Sequence, residues 1–204
     1  MKIADPAEST VDELKNKTSR NTNQKMNNEK DFPVIETDRF TLRQITGDDL
    51  ENVFAGLSHP EVTKYYGVSF GSLEATSEQM EWFKNLEVEN KGIWWAIGSK
   101  DCKIFYGACG FNDLDKQNRK AEVGFWLLPD YWGNRIMSEI MPLICDYGFK
   151  NLGLHRIEGF VDSENEKCKK ALARLDFNHE GTMVDCEIKN ERFVSIDIYA
   201  LINR

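Results

Sequence analysis

AEVGFWLLPDYWGNRIMSE, residues 121–139, is the stretch whose reading decides the fold. Residues 121–128 form an apolar run of strand length. Pro129 closes it, Gly133 marks a tight loop, and an apolar-periodic pattern starts at Ile136. A strand that opens onto a helix N-terminus makes an anion site. The first amides of a helix have no internal partners and sit at the positive end of its dipole. A pyrophosphate suits such a loop. The strand before it ends in main-chain groups that can hold an extended tail, which fits coenzyme A better than a free nucleotide. Along this strand Glu122, Gly124, Trp126 and Leu128 share one face, and Val123, Phe125 and Leu127 the other.

Working outward, the periodicity predicts strands at 35–45, 93–98, 104–111, 121–128, 155–161, 180–188 and 192–202. It predicts helices at 50–57 (capped by Asp48 and Asp49), 72–89, 136–150 and 164–175. Pro142 falls inside the helix behind the loop and predicts a kink near Ser138. The order is that of a mixed α/β (α+β) domain, one sheet with helices on both faces, over residues 32–204. Residues 1–31 are poor in large apolar groups and rich in Asn, Lys, Thr and Glu, the composition of a disordered arm. Met26, just before the globular part, is a candidate for an alternative or the true start.

The chain of 204 residues has room for one domain with a real core. No apolar run reaches membrane-spanning length, and nothing reads as a signal peptide. Cys102, Cys109, Cys145, Cys168 and Cys186 are odd in number with no C-x-x-C pair, which reads as reduced thiols in a cytoplasmic protein. The three histidines lie far apart and offer no metal-ligand spacing. The formal net charge is −8, and because residues 1–32 carry six acidic and six basic side chains, the excess belongs to the globular part. That sign argues against direct nucleic-acid binding and agrees with a cationic acceptor.

The segment resembles the GNAT N-acetyltransferases, within them the ribosomal-protein (RimJ/RimL-like) branch. The likeness extends through IETDRFTLRQIT (35–46), GIWWAI (92–97), GACGFNDLD (107–115), LGLHRIEGFVDSEN (152–165) and EIKNERFVSIDIYAL (187–201). It implies the GNAT fold and transfer of acetyl from acetyl-CoA to a primary amine, with no metal. The acceptor it implies is the N-terminal amine of a ribosomal protein. A small amine (polyamine, amino sugar or antibiotic) and a non-catalytic CoA-binding role are the alternatives. The resemblance allows a homodimer, and no segment marks an interface.

The resemblance also implies site residues. Trp132, Gly133, Asn134, Arg135, Ile136, Met137 and Ser138 match the phosphate cradle. Arg135 stands where the family has glycine, so its fork either turns outward to clamp pyrophosphate or obstructs the loop. Phe125, Trp126 and Leu127 supply main-chain groups to the pantetheine arm, one of their N–H groups facing the thioester oxygen as an oxyanion-type donor. Asn165 and Cys168 match N-x-x-S. Asn165 either contacts the carrier or only caps a helix, and Cys168 is either the acid for the CoA thiolate, its reference pKa of about 8.5 lying nearer to neutrality than a hydroxyl's, or an inert thiol. Glu187 matches the general base, with Asp185 on the same strand face raising its proton affinity, and Glu122 is the rival base. Trp94, Trp95, Tyr65, Tyr66 and Asn112 are candidate acceptor-side residues, with one of the two tryptophans in the core.

Overall fold

A computed structural model describes residues 32–189 and 191–204. The arm read from residues 1–31, Met26 with it, and Asn190 between the last two expected strands lie outside the described residues. One compact unit runs from Pro33 to Arg204. Its elements are β1 (Ile35–Glu36), β2 (Phe40–Gln44), α1 (Leu50–Leu57), α2 (Pro60–Thr63), α3 (Leu73–Val88), β3 (Ile93–Ser99), β4 (Phe105–Asp115), β5 (Lys120–Leu127), α4 (Ile136–Lys150), β6 (Arg156–Asp162), α5 (Glu166–Arg174), β7 (Asn178–Lys189) and β8 (Arg192–Ile202).

The strands form one sheet in the order β1-β2-β3-β4-β5-β6-β8-β7. Every pairing is antiparallel except β5 with β6. Two helical layers cover it. On one face Trp94 packs on Phe83 and Trp82 of α3. A Cβ at Gly56 of α1 would collide with the Trp126 ring, so α1 lies directly on β5. On the other face Trp95 meets Tyr147 of α4 edge-on, and Gly148 of α4 lies against Phe111. Adjacent strand residues point to opposite faces, so Trp94 and Trp95 are each buried in a different layer. Both are core, and Trp94 alone also borders the cleft.

Local chemistry explains the main departures from the sequence reading. The helix expected at residue 50 is preceded by a short 3₁₀ turn, Gly47–Asp49. Asp49 is buried there because it accepts two hydrogen bonds from Arg43, at 2.8 and 2.7 Å, and one from the Thr46 amide at 2.9 Å. The short helix α2 has His59 as its N-cap, accepting from the Glu61 amide at 3.2 Å, and Pro60 at its first position. α4 runs unbroken through Pro142, so the expected kink does not divide it. Pro142 lies on the exposed face, where the one backbone bond it removes is replaceable by water.

Candidate active site

The site begins where the parallel ladder ends. β5 and β6 share three rungs, Lys120↔Arg156, Ala121↔Ile157 and Glu122↔Glu158, and then part. Above that fork β5 stays paired with β4 as far as Leu127, and β6 with β8 as far as Asp162. The Leu128 amide donates to Tyr106 on the β4 side at 2.9 Å. The Leu127 carbonyl turns the other way and accepts from the Trp132 indole at 2.9 Å. Strand alternation therefore turns the main-chain groups of Phe125 and Val123 into the gap, and those of Trp126 toward β4. Of the three residues expected to offer their backbone to a carrier, Phe125 alone keeps both groups available. Trp126 is engaged by β4 and the Leu127 carbonyl by Trp132. Val123 adds its carbonyl only, because the last rung, Glu122↔Glu158, engages its amide.

A cavity of about 1530 Å³ opens at this gap. One end of it is the loop before α4. Gly133 has φ 80°, and a side chain there would meet open space, so glycine serves the turn and not close packing. Arg135 adopts φ 59° and ψ 18°, the left-handed conformation expected of glycine. For an arginine this costs about 1–2 kcal/mol. No side chain caps α4, and its first backbone bond runs from Glu139 to the Arg135 carbonyl at 3.2 Å. The amides of Ile136, Met137 and Ser138 are thus left facing out of the helix end. Arg39 braces the loop, donating to the Asn134 carbonyl at 3.3 Å and to Glu139 at 3.1 Å, which draws the one acidic group of that first turn away from the amides.

Beside the loop, α5 lines the cavity with Lys167, Lys170 and Arg174. Their spacing of three and four puts them along one helix face. Lys167 sits 4.9 Å over the Trp132 ring, which brings α5 and the loop together. With exposed Arg135 this end carries four cations, none ion-paired among the described residues. Asn165 caps α5, its side chain accepting from the Cys168 amide at 3.1 Å. Burial pushes the Cys168 thiol up to about 12. There burial favours the neutral thiol over the thiolate.

The opposite wall is acidic and aromatic. Glu122 stands at the fork itself, on the last rung. It accepts from the Asn112 amide at 3.1 Å, and the same amide reaches Asp113 at 3.3 Å. Burial raises the Glu122 carboxyl to about 7, with the charges of Asp113, Glu158 and Glu187 adding to the shift and the Asn112 hydrogen bond opposing it. The Trp94 ring fills the space over Gly124, where a Cβ would lie 2.6 Å from it. Tyr66 lines the wall with its phenol shifted upward by burial and by the Glu122 charge.

Glu187 borders the cavity from β7, but its side chain is 52% exposed and 4.0 Å from Lys189. The expected pairing of Glu187 with Asp185 on one strand face is overturned. The β7–β8 register jumps between Met183 and Glu187, and Asp185 sits inside this bulge with φ 49°. Its amide donates to Ser195 at 3.0 Å. A bulge breaks the two-residue alternation on which the expectation relied.

The sequence profile of the acetyltransferase (GNAT) domain matches residues 39–178. The chain belongs to the GNAT acetyltransferase family. It is 37% identical over 172 residues to the uncharacterized N-acetyltransferase YoaA of Bacillus subtilis (strain 168), covering 84% of this chain and 97% of that protein. Its fold matches that of the Salmonella typhimurium acetyl transferase that modifies the N-terminal serine of a 50S ribosomal subunit protein, with TM-score 0.76, 19% identity, and 84% and 100% of the two chains covered. It also matches spermidine N-acetyltransferase from Vibrio cholerae, solved with CoA and spermine, with TM-score 0.73, 20% identity, and 81% and 96% covered. The chain is an acetyl-CoA-dependent N-acetyltransferase with the GNAT fold.

The GNAT fold accounts for residues that sequence reading passed over. Lys167, Lys170 and Arg174 were visible only as a charged helix face, and their place at the cavity depends on α5 lying beside the loop. Val123 and the Trp132 indole bond depend on which way the strand backbone turns. The periodic K-x-x-K-x-x-x-R pattern of α5 was the one available signal. Among the described residues no group of three or more His, Cys, Asp or Glu side chains forms a metal cage. No helix among them is long and apolar enough to cross a membrane.

Proposed function

We propose that this enzyme acetylates an α-amino group, the free N-terminus of a polypeptide of the ribosomal-protein kind, with Glu122 as its general base. The observation that carries this reading is the position of Glu122, a half-buried carboxyl at the fork whose last paired rung is followed at once by the gap-facing backbone of Val123 and Phe125. A base with a pKa of about 7 suits an amine of pKa near 8 better than one above 10.

The residues present fit the carrier. Bound acetyl-CoA supplies an activated thioester acetyl group. The amides of Ile136, Met137 and Ser138, with the Arg135 guanidinium, suit the pyrophosphate. Lys167, Lys170 and Arg174 suit the remaining phosphate, and the Phe125 backbone with the Val123 carbonyl suits the pantetheine arm. Glu122 takes a proton from the incoming ammonium and leaves a nucleophilic amine. Holding both substrates in one cleft supplies much of the acceleration. Asn165 acts as a helix cap. Cys168 remains a neutral thiol, so protonation of the leaving group falls to another donor.

The acidity of the acceptor wall favours a second reading. Glu61, Glu78, Glu122 and Glu187 all border the cavity and would attract a polyamine. A thiol-release assay with acetyl-CoA and a panel of N-terminal peptides, spermidine and an amino sugar separates the two. Turnover on peptides is the expected result. Turnover on spermidine alone would remove the α-amine reading and keep the amine chemistry.

A further inference from the structure

Glu158 stands directly across the last ladder rung from Glu122. Rung partners project from the same face of a sheet, so the two carboxylates are neighbours. Glu158 does not line the cavity, and its side chain is 14% exposed. Its oxygens are held separately, one by Arg156 Nε at 2.7 Å and the other by Lys120 Nζ at 3.0 Å. Arg156 gives its two remaining nitrogens to Glu180, at 3.0 and 2.6 Å. An alternating row therefore runs from beneath Glu122 to the edge strand: Lys120, Glu158, Arg156, Glu180. Burial alone would raise the Glu158 carboxyl, but the hydrogen bonds from Arg156 and Lys120 outweigh it and hold the group below its ordinary value. Glu158 is thus already charged over the whole range in which Glu122 titrates.

We infer that Glu158 is a positioning residue for the reaction, a carboxylate pinned outside the cleft across the last rung from Glu122, whose charge adds to that of the other groups around Glu122 and helps to keep a proton on it. The inference rests on the reading of Glu122 as that base. Other groups face Glu122 as well. β4 contributes Asn112 and Asp113, β7 contributes Glu187, the segment after α2 contributes Tyr66, and β3 contributes Trp94. Glu78 of α3 and Lys189 of β7 border the same cavity. Asp113 and Glu187 are exposed, so salt screens their effect. Glu158 is enclosed on the sheet and keeps its effect in salt. Its two cations also fix the sign of each perturbation. Removing the carboxylate leaves Arg156 and Lys120 facing Glu122, and removing Lys120 leaves Glu158 less compensated.

The test is a ¹³C-detected titration of the Glu122 carboxyl in the full chain, which needs no acceptor, at low and at high salt. Glu158→Gln is expected to move the midpoint down by about half a pH unit or more. Lys120→Gln is expected to move it up. Both shifts should persist in salt, whereas that of Asp113→Asn should shrink. Glu158→Asp should restore most of the wild-type midpoint. An unmoved midpoint in both Glu158→Gln and Lys120→Gln, or movement of both in one direction, overturns the inference. Glu122→Gln, assayed by thiol release with acetyl-CoA and the peptide panel, tests the underlying reading separately. An unchanged rate removes Glu122 as the base whatever the titration shows.

Discussion

The two walls of the cleft are made of different material. The wall proposed for the carrier is main chain and cation: the backbone of Phe125 with the Val123 carbonyl, the open amides after Arg135, and the basic face of α5. The acceptor wall is side chain, with Glu122, Tyr66, Trp94 and Asn112 brought together from four separate elements. Main-chain recognition tolerates almost any sequence once the fold is set. Side-chain recognition depends on each residue. Substitution should therefore damage acceptor chemistry steeply and carrier binding gradually.

The largest contrast concerns Glu122. Glu122→Gln should lower turnover by about 100-fold or more while leaving acetyl-CoA affinity within about twofold. Glu187→Gln, on an exposed strand, should change turnover by less than about threefold. Isothermal titration alongside single-turnover kinetics reads both. If the two glutamates exchanged these values, the acceptor wall would have its base on β7.

The same carboxyl should limit stability. A folded pKa raised from 4.5 to about 7 means that the folded state holds the proton more tightly than the unfolded chain. Stability is unaffected below pH 4, falls as pH rises from 4.5 through 7, and stays lower above that. Glu122→Gln removes the penalty, and is expected to stabilise the fold at pH 8 by on the order of 2–3 kcal/mol and hardly at all at pH 4. Thermal melts of both proteins across that range check it. A stabilisation that did not grow with pH would mean that the carboxyl is not held protonated by its surroundings.

The carrier wall should respond less sharply. Reversing one cation, as in Lys170→Glu or Arg174→Glu, is expected to weaken CoA about tenfold at low salt and less at high salt. Dephospho-CoA should be less affected. Arg135→Gly should relieve a left-handed arginine and stabilise the fold by about 1 kcal/mol. If the guanidinium also clamps phosphate, the same change weakens CoA by several-fold. A gain in stability with tighter CoA binding would show that the side chain obstructs the loop.

Legibility divides along the same line. The fold and the carrier loop could be read from the sequence because apolar periodicity, Gly133 and the strand-to-helix junction are local signals. At residue 135 the sequence shows an arginine at a glycine position, and the backbone there adopts φ 59°. What sequence could not supply is whatever depends on where strands separate. Glu122 and Glu187 look equivalent as letters. The first stands where the β5–β6 ladder ends, the second on the exposed edge strand β7, where the bulge between Met183 and Glu187 also displaces Asp185. Three backbones were expected to face the carrier, but an indole bond takes the Leu127 carbonyl and β4 takes Trp126.

Cys168 gives the smallest expected effect and tests whether the carrier wall contains any chemistry of its own. The thiol sits one turn into α5 with its amide capped by Asn165, and burial raises it to about 12. A proton donor at that value is poorly matched to a CoA thiolate, whose conjugate acid is several units stronger. Cys168→Ala should therefore keep turnover within about threefold and leave its pH dependence unmoved. Cys168→Ser is the more telling variant. A hydroxyl in an apolar setting without a hydrogen-bond partner costs about 1–3 kcal/mol of stability, so on this reading serine should be the worse replacement of the two. If serine instead matched or exceeded the wild-type rate while alanine lost about 100-fold, a proton would be passing through this position. The carrier wall would then be a catalytic surface as well as a binding one.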